Sequence, residues 1–176
     1  YGSQTHESIR KLGRETPDLL LCEGTRIDDY ETSSEQDVKT NALEVASRCS
    51  ALVVADFAPR DIFRFSTFHQ IAEQVERKLL ITKQDAYLIR ELRRVGHLRD
   101  LLPPIDDESL LVYVDRKDTG TYRPGDYDKW EQEFLTKTNA VKADYVHENQ
   151  RKIIACMSFF DINELIDIAP NEGSIY

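Results

Sequence analysis

A chain of 176 residues, with 40% apolar and 31% charged residues, has the length and composition of one globular domain with a substantial core. Its 23 Lys and Arg residues against 32 Asp and Glu residues give a net charge of −9, which restricts any nucleic-acid role to a local basic patch. No apolar run approaches the ~18 residues of a transmembrane helix, so no membrane partner is expected. Cys22, Cys49 and Cys156 lie far apart in apolar surroundings, which predicts reduced core thiols in a cytoplasmic protein.

The first strong pattern after a predicted amphipathic helix at residues 5–14 is a run of four apolar residues at 19–22, preceded by Asp18. The run is too short for a free-standing helix and is typical of a strand buried on both faces, as in parallel sheets. Glu23, Thr25 and Arg26 follow it. Ligands of open α/β sheets bind beyond the carboxyl ends of strands, so we expect chemistry there. In the alternative interpretation, these three residues surround a turn and face solvent.

The rest of the chain alternates between apolar runs and segments of helical periodicity. The predicted strands cover 51–55, 78–82, 110–114 and 152–157, and the predicted helices cover about 33–48, 60–76, 83–96, 127–135, 142–150 and 162–169. Capping boxes are predicted between Thr32 and Glu35 and between Thr82 and Asp85. This order predicts an α/β fold, a Rossmann-like three-layer sandwich with a mostly parallel sheet and helices on both faces.

Motifs for the common catalytic chemistries are missing from the sequence. None of the four histidines belongs to a metal-binding motif, and no glycine-rich phosphate loop or G-x-S-x-G nucleophile motif occurs. Acidic residues at strand ends are the remaining candidates, because carboxylates at neighbouring strand ends can share Mg²⁺. These residues are Glu23, Asp56, Asp115 and Asp118. In the alternative interpretation, they cap helices or face water.

The arginines are distributed unevenly along the chain. Arg60 lies just beyond a predicted strand and beside a predicted helix N-terminus, where anions bind. A second group of basic residues lies at the end of the 83–96 helix, where cations stabilise the helix dipole. It consists of Arg90, Arg93, Arg94, His97 and Arg99. We therefore interpret most of the second group as structural and Arg60 as a candidate anion-binding residue.

Three motifs, in this order, resemble a known family of nucleases. They are YGSQTH at residues 1–6, PDLLLCEGTR at 17–26 and VVADFA at 53–58. Two later segments, TKQDAYL at 82–88 and IAPNEGSIY at 168–176, fit the same family. The chain resembles metallo-β-lactamase-fold nucleases that carry a β-CASP domain, and among these it is most similar to the ribonuclease J-like proteins. The resemblance extends over nearly the whole chain.

The resemblance implies that residues 1–30 are the end of a metallo-β-lactamase-like half and that residues 31–176 are a β-CASP-like α/β domain. In the isolated chain the two parts can also form one continuous domain. Such a middle piece lacks the catalytic metal ligands, so no catalytic residue, metal site or cofactor is expected in this chain. The intact protein is expected to hold two zinc ions. By position, the residues nearest a groove for single-stranded RNA are expected to be Glu23, Thr25, Arg26, Phe57, Arg60 and Arg64.

The expected function is therefore that of the substrate-clamping segment of a metal-dependent ribonuclease, inactive by itself. One alternative is a Toprim-like Mg²⁺-dependent nucleic-acid domain that uses Glu23 and Asp115. Its first motif is met by LCEG at 21–24, but two residues separate Asp115 from Asp118 where that family has one. The other alternative is a non-catalytic domain whose acidic surface binds protein.

Overall fold

Five short parallel strands form the sheet that organises the described part of the chain. In the computed structural model, which describes residues 3–15, 18–19, 34–58 and 60–176, the strands are β1 (Val53–Ala55), β2 (Lys78–Thr82), β3 (Leu110–Tyr113), β4 (Ala140–Val141) and β5 (Ile153–Cys156). Their order in the sheet is β1-β5-β2-β3-β4, and every pairing is parallel. Beyond β1, Ile175 forms an isolated parallel bridge with Val53. The last strand in sequence thus lies between the first two.

Helices connect the consecutive strands, and further helices precede the first strand and follow the last. Their bounds are α1 (Ser3–Glu15), α2 (Glu35–Arg48), α3 (Ile62–Gln74), α4 (Lys83–Leu92), α5 (Lys129–Leu135), α6 (Ala143–Glu148) and α7 (Glu164–Ile168). The chain consists of two compact units, Tyr1–Val38 and Lys39–Tyr176. The sheet belongs to the second unit. The assignment of residues 1–30 to a metallo-β-lactamase-like half stays a prediction.

Alternating strand residues bury the two faces of the sheet in separate cores. On one face, residues such as Leu79, Ile81 and Ile154 pack with apolar residues of α2, α3, α4 and α5. On the other face, residues such as Leu80 and Ala155 pack with α6 and α7. The parallel pairing and the helices on both faces confirm the predicted Rossmann-like three-layer sandwich. Right-handed crossovers place helices on one face while successive strands are added in one direction, and on the other face after that direction reverses.

Most predicted elements are present, with differences at their ends. β2 has the predicted bounds, whereas the two-residue strand β4 was not predicted. Apart from Leu19, the apolar run at 19–22 lies outside the described residues, as does Thr32 of the first predicted capping box. Leu19 is exposed and belongs to no strand.

Helix starts shift where a different side chain provides the cap. The Oγ atom of Ser34 accepts from the Asp37 backbone N–H at 3.2 Å, so α2 starts behind a Ser-x-x-Asp box. α5 starts after Asp128, which forms a capping box with Glu131, and not after Asp126 as predicted. In α2, Leu43 and Ala46 pack against the core, whereas Val45 is exposed.

A buried arginine joins three backbone segments at the amino edge of the sheet, the edge at which the strands begin. Arg77, immediately before β2, is only 8% exposed. Its guanidinium donates to the carbonyl oxygens of Ala51 at 2.8 Å, of Ile153 at 3.3 Å and of Cys49. These carbonyls flank the starts of β1 and β5, so one cation satisfies backbone acceptors beside each of these two strands.

Replacing Arg77 with methionine is expected to lower the free energy of unfolding by about 3 kcal/mol, because buried acceptors left unpaired cost about 1–3 kcal/mol each. Urea denaturation measures the change. The matched control is Arg48→Met, whose side chain is 77% exposed and is paired with the Glu44 carboxylate on the surface of α2. There we expect a change of less than about 0.5 kcal/mol. Equal losses in the two variants would contradict the role given to Arg77.

Candidate functional site

The carboxyl edge of the sheet, at which the strands end, contains a crevice where the chain changes face. The segments after β1 and β2 lead to helices on one face, α3 and α4, whereas the segment after β5 leads to α7 on the other face. Because β5 lies between β1 and β2, the connection that follows β5 leaves towards the face opposite to the one reached by the connections that follow β1 and β2. In doubly wound sheets such a switch point is where ligands bind.

Three of the six predicted groove residues lie on the connection between β1 and α3. Phe57 follows β1 and is half-buried, with its ring stacked on Phe68 at a centroid distance of 5.3 Å and an interplanar angle of 9°. Arg60 is exposed in the turn before α3, and Arg64 lies in the first turn of that helix. The structure thus puts an aromatic ring and two guanidinium groups on one short segment at the carboxyl edge.

The other three predicted groove residues, Glu23, Thr25 and Arg26, lie outside the described residues. Their relation to Phe57 therefore stays a prediction. The same holds for the use of Glu23 as a metal ligand.

The N-terminus of α3 already has a carboxylate in place. Asp61 Oδ1 accepts from the backbone N–H of Arg64 at 3.0 Å and is the N-cap of the helix. A capped N-terminus leaves fewer free N–H groups for an incoming anion. An anion at this position would therefore depend on the guanidinium groups of Arg60 and Arg64 and not on the first turn of the helix.

The acidic residues at the strand ends do not form one group. Asp56 follows β1 and Asp115 follows β3, and two strands lie between these. Three strand spacings of about 4.8 Å separate their ends by about 14 Å. Asp56 accepts from the Tyr176 hydroxyl at 2.8 Å, and Asp115 is paired with Lys83. Within the described ranges, no three His, Cys, Asp or Glu side chains lie close enough together to hold a metal ion.

The basic residues at the end of α4 mostly have local partners. Arg90 pairs with Glu91 and Glu133, and Arg94 pairs with Glu91. The guanidinium of Arg93 donates to the carbonyl oxygens of Arg99 and Leu102. These contacts agree with the structural interpretation of this group.

A buried ion cluster at the ends of β2 and β3 was not predicted. Lys83, the first residue of α4, has no exposed surface and pairs with Asp115 and, at 3.5 Å, with Glu131. Its ammonium also lies 4.7 Å from the centre of the Tyr127 ring. Glu131 is equally buried, and its carboxylate pairs with a second cation, the Lys117 ammonium, at 2.8 Å. Two cations and two carboxylates thus join the start of α4, the 115–127 loop after β3, and α5.

The protonation of this cluster reflects its burial. Burial lowers the pKa of Lys83 to about 8, and the Glu131 carboxylate opposes this shift only in part. Burial acts to raise the pKa of Glu131, but hydrogen bonds from Lys117 and from the Asp128 backbone N–H outweigh it and lower the pKa. Because Lys83 is enclosed, its amine is inaccessible to a substrate. We therefore interpret the cluster as a structural brace, a set of ion pairs that holds the segments at the carboxyl edge together. Only one feature of the sequence indicated this cluster, a lysine directly after an apolar strand.

Comparison with models of known families, with curated proteins and with solved structures finds no match to this chain. The class defined by the structure is the doubly wound α/β fold with a crevice at its carboxyl edge. None of the described helices has both the length and the apolar character needed to cross a lipid bilayer.

The buried Lys83 predicts that stability rises with pH in the alkaline range. Its pKa is about 8 in the folded chain against 10.5 as the ordinary value, so the unfolded chain binds more protons between these pH values. Relative to a Lys83→Met variant, the wild type should gain about 2 kcal/mol between about pH 8 and 9.5, at about 1.4 kcal/mol per pH unit. Urea denaturation at both pH values measures the difference, and a constant or shrinking difference would refute the assignment.

Proposed function

We propose that this chain is the substrate-clamping segment of a metal-dependent ribonuclease and that it binds single-stranded RNA at its carboxyl edge. In this proposal it is similar to the β-CASP domain of ribonuclease J-like proteins. RNA phosphodiester hydrolysis belongs to the intact protein, in which two zinc ions would supply the metal. The reduced state expected for the cysteines makes the cytoplasm the proposed location; Cys49 and Cys156 are buried free thiols.

The observation that supports RNA binding best is the composition of the β1–α3 connection. Phe57 is a half-buried aromatic side chain of the kind on which nucleobases stack, and Arg60 and Arg64 carry guanidinium groups of the kind that bind phosphates. All three lie beside the switch point of a doubly wound sheet, where this architecture binds ligands. Aromatic and cationic side chains on one edge are the combination that single-stranded nucleic acids require.

The metal chemistry of the proposed enzyme has no site among the described residues. Three or four protein ligands hold a catalytic zinc ion, and no such group of His, Cys, Asp or Glu occurs in that part of the chain. We therefore assign no catalytic step to this chain. The chain alone, purified free of other nucleases and supplied with Zn²⁺, should leave RNA intact; hydrolysis under these conditions would refute the clamping-only role.

Binding to a fluorescein-labelled oligouridylate of about ten nucleotides tests the RNA site, since single-strand sites span about 4–16 nucleotides. We expect affinity to fall with salt concentration. In a double variant, Arg60→Ala with Arg64→Ala, the slope of log K against log salt should decrease by about 1.4, because each lost phosphate contact removes about 0.7. Fluorescence anisotropy at several salt concentrations gives both slopes.

The matched control is the double variant Arg48→Ala with Arg94→Ala, which removes the same charge from the opposite edge. Both side chains are more than two-thirds exposed, at 77% and 71%. Arg48 is the last residue of α2, and Arg94 lies two residues after the end of α4. Both helices lead back to the starts of strands, so both side chains are remote from the β1–α3 connection at the strand ends. If the two double variants weaken binding equally, net charge and not a site controls binding. If no RNA binds even at low salt, the proposal fails.

The Toprim-like alternative is weakened by the partner of Asp115. A Mg²⁺ ligand needs a carboxylate with free lone pairs, but the Asp115 side chain is paired with the buried Lys83 ammonium. An approaching cation would have to compete with an ammonium that has no exposed surface. No observation in the described residues favours this alternative.

The alternative of a protein-interaction domain has one observation in its favour. Large apolar side chains are exposed on the segment after β5, notably Phe159 at 66%, Phe160 at 90% and Ile166 at 77%. Exposed apolar groups at this density are typical of contact surfaces. In this function the apolar segment, and not Arg60 or Arg64, makes the contact.

A Phe160→Ser, Ile166→Ser variant separates the two functions. If the segment mediates self-association, sedimentation velocity should show the wild type as an oligomer and the variant as a monomer, because the buried apolar area is lost. If the wild type is a monomer at all concentrations and binds RNA, the RNA-clamping function is favoured instead. The Arg60→Ala, Arg64→Ala variant is the control, since self-association should not depend on it.

A further inference from the structure

Two adjacent phenylalanine side chains are exposed on the segment that follows β5. Phe159 is 66% exposed and Phe160 is 90% exposed, and both belong to a short 3₁₀ turn. Single exposed apolar residues are common on protein surfaces, but two adjacent exposed rings form a patch of the kind that marks a binding site. The rings were not among the predicted groove residues.

This aromatic pair lies beside the β1–α3 connection, which carries the proposed phosphate contacts. β5 and β1 are adjacent and parallel, so the segments that follow them leave the sheet side by side, about 4.8 Å apart. The Met157 N–H donates to the Ala55 carbonyl oxygen at 3.2 Å and joins the two strand ends. Ser158 and Asp161, the residues on either side of the pair, line one cavity together with Phe57.

Hydrogen bonds hold the turn that presents the rings. Ser158 donates its backbone N–H, at 2.9 Å, and its hydroxyl, at 2.6 Å, to Asp161 Oδ2. The Asp161 N–H in turn donates to the Ser158 carbonyl oxygen at 2.8 Å. The rings of Phe159 and Phe160 contact each other at an interplanar angle of 78°, with their centroids 6.1 Å apart. Rings held in place before binding lose little conformational entropy when a ligand stacks on them.

The pair offers more free ring surface than Phe57 does. Phe57 is half-buried and lies parallel to the ring of Phe68, which covers part of one face. Phe160 keeps nearly all of its surface accessible. The same segment carries the carboxylates of Asp161 and Glu164, which repel phosphates. The neutral base is therefore the part of a nucleotide that suits this surface.

We propose that Phe160, in contact with Phe159, is a platform on which an unpaired base of single-stranded RNA stacks. This inference rests on the proposed RNA-binding function and adds a base contact to the phosphate contacts assigned to Arg60 and Arg64. Stacking needs only the π-face of a base, so the platform accepts every base. Because the platform and the two arginines follow neighbouring strands, one RNA strand can contact both.

Replacing Phe160 with leucine tests the platform, because leucine keeps an apolar side chain but has no ring. Affinity for the fluorescein-labelled oligouridylate should fall about tenfold, the loss expected for one base–aromatic stack. The slope of log K against log salt should stay at the wild-type value, since no phosphate contact is removed. Phe160→Tyr, which keeps the ring, should bind as the wild type does. Fluorescence anisotropy at several salt concentrations measures both quantities.

Ile166→Ala is the matched control for the loss of exposed apolar surface. Ile166 is 77% exposed and lies on α7, which follows the same turn, but it has no ring. Its replacement should leave the affinity for RNA unchanged. An equal loss in Phe160→Leu and Ile166→Ala would mean that apolar area and not stacking contributes to binding, and the inference would be wrong.

A Phe160→Trp variant reports stacking directly, because a base stacked on an indole ring quenches its fluorescence. Oligouridylate should quench this variant, whereas an abasic oligonucleotide with the same number of phosphates should not. The chain has one tryptophan of its own, Trp130 on α5, which packs edge-on against Tyr87. The fluorescence of the wild type during the same titration is therefore the control.

Wild-type affinity in Phe160→Leu, or unquenched fluorescence in RNA-bound Phe160→Trp, would overturn the inference. The proposed function would then still stand, because the Arg60→Ala, Arg64→Ala variant tests it separately. If the wild type binds no RNA but self-associates through this segment, both proposals fail and the protein-interaction alternative is favoured. Because Phe160 is exposed, its substitutions should leave the core intact, and thermal denaturation should give the wild-type midpoint.

Discussion

Insertion of β5 between β1 and β2 is the constraint on which the sheet depends. Ile154 of β5 is aligned with Val53 on one side and with Leu79 on the other, and it has no exposed surface. Without β5, the facing edges of β1 and β2 would have unpaired backbone groups in the centre of the domain. The sheet is therefore complete only when a strand about 70 residues beyond β2 has been added, so its stability depends on contacts distant in sequence.

Buried cations at the two ends of β2 connect this central strand to its surroundings. Arg77 precedes β2 and donates to carbonyls near β1 and β5, and Lys83 follows β2 and pairs with Asp115 after β3. Both are buried, but their partners differ. Backbone carbonyls satisfy Arg77 without introducing a second charge, whereas the carboxylates around Lys83 must be desolvated as well. The brace at the carboxyl edge is therefore the one that responds to pH, next to the crevice that forms the candidate site.

Local sequence patterns predicted most of the helices and strands, but they could not predict the order of the strands in the sheet. The apolar run of β2 and the cap between Thr82 and Asp85 were correct because both depend on residues a few positions apart. Two-residue β4 is too short to produce a periodic signal. Grouping Asp56 with Asp115 assumed neighbouring strand ends, whereas strand order results from packing across the whole sheet. The burial of Asp85 Oδ1 without a hydrogen-bond partner among the described residues could not be predicted either, because it depends on the packing of α4 against the sheet.

The acidity of the chain and the composition of the β1–α3 connection act together in the proposed function. A net charge of −9 repels a phosphate backbone from most of the surface, so attraction remains only where cations are grouped. Two arginines make few phosphate contacts, and affinity from charge alone is correspondingly low. In the proposed function, the remaining affinity comes from short-range contacts, above all from a base stacked on an aromatic ring. Phe57 is the aromatic residue on the same connection as the two arginines, so the proposal assigns the base and the phosphates to one short segment.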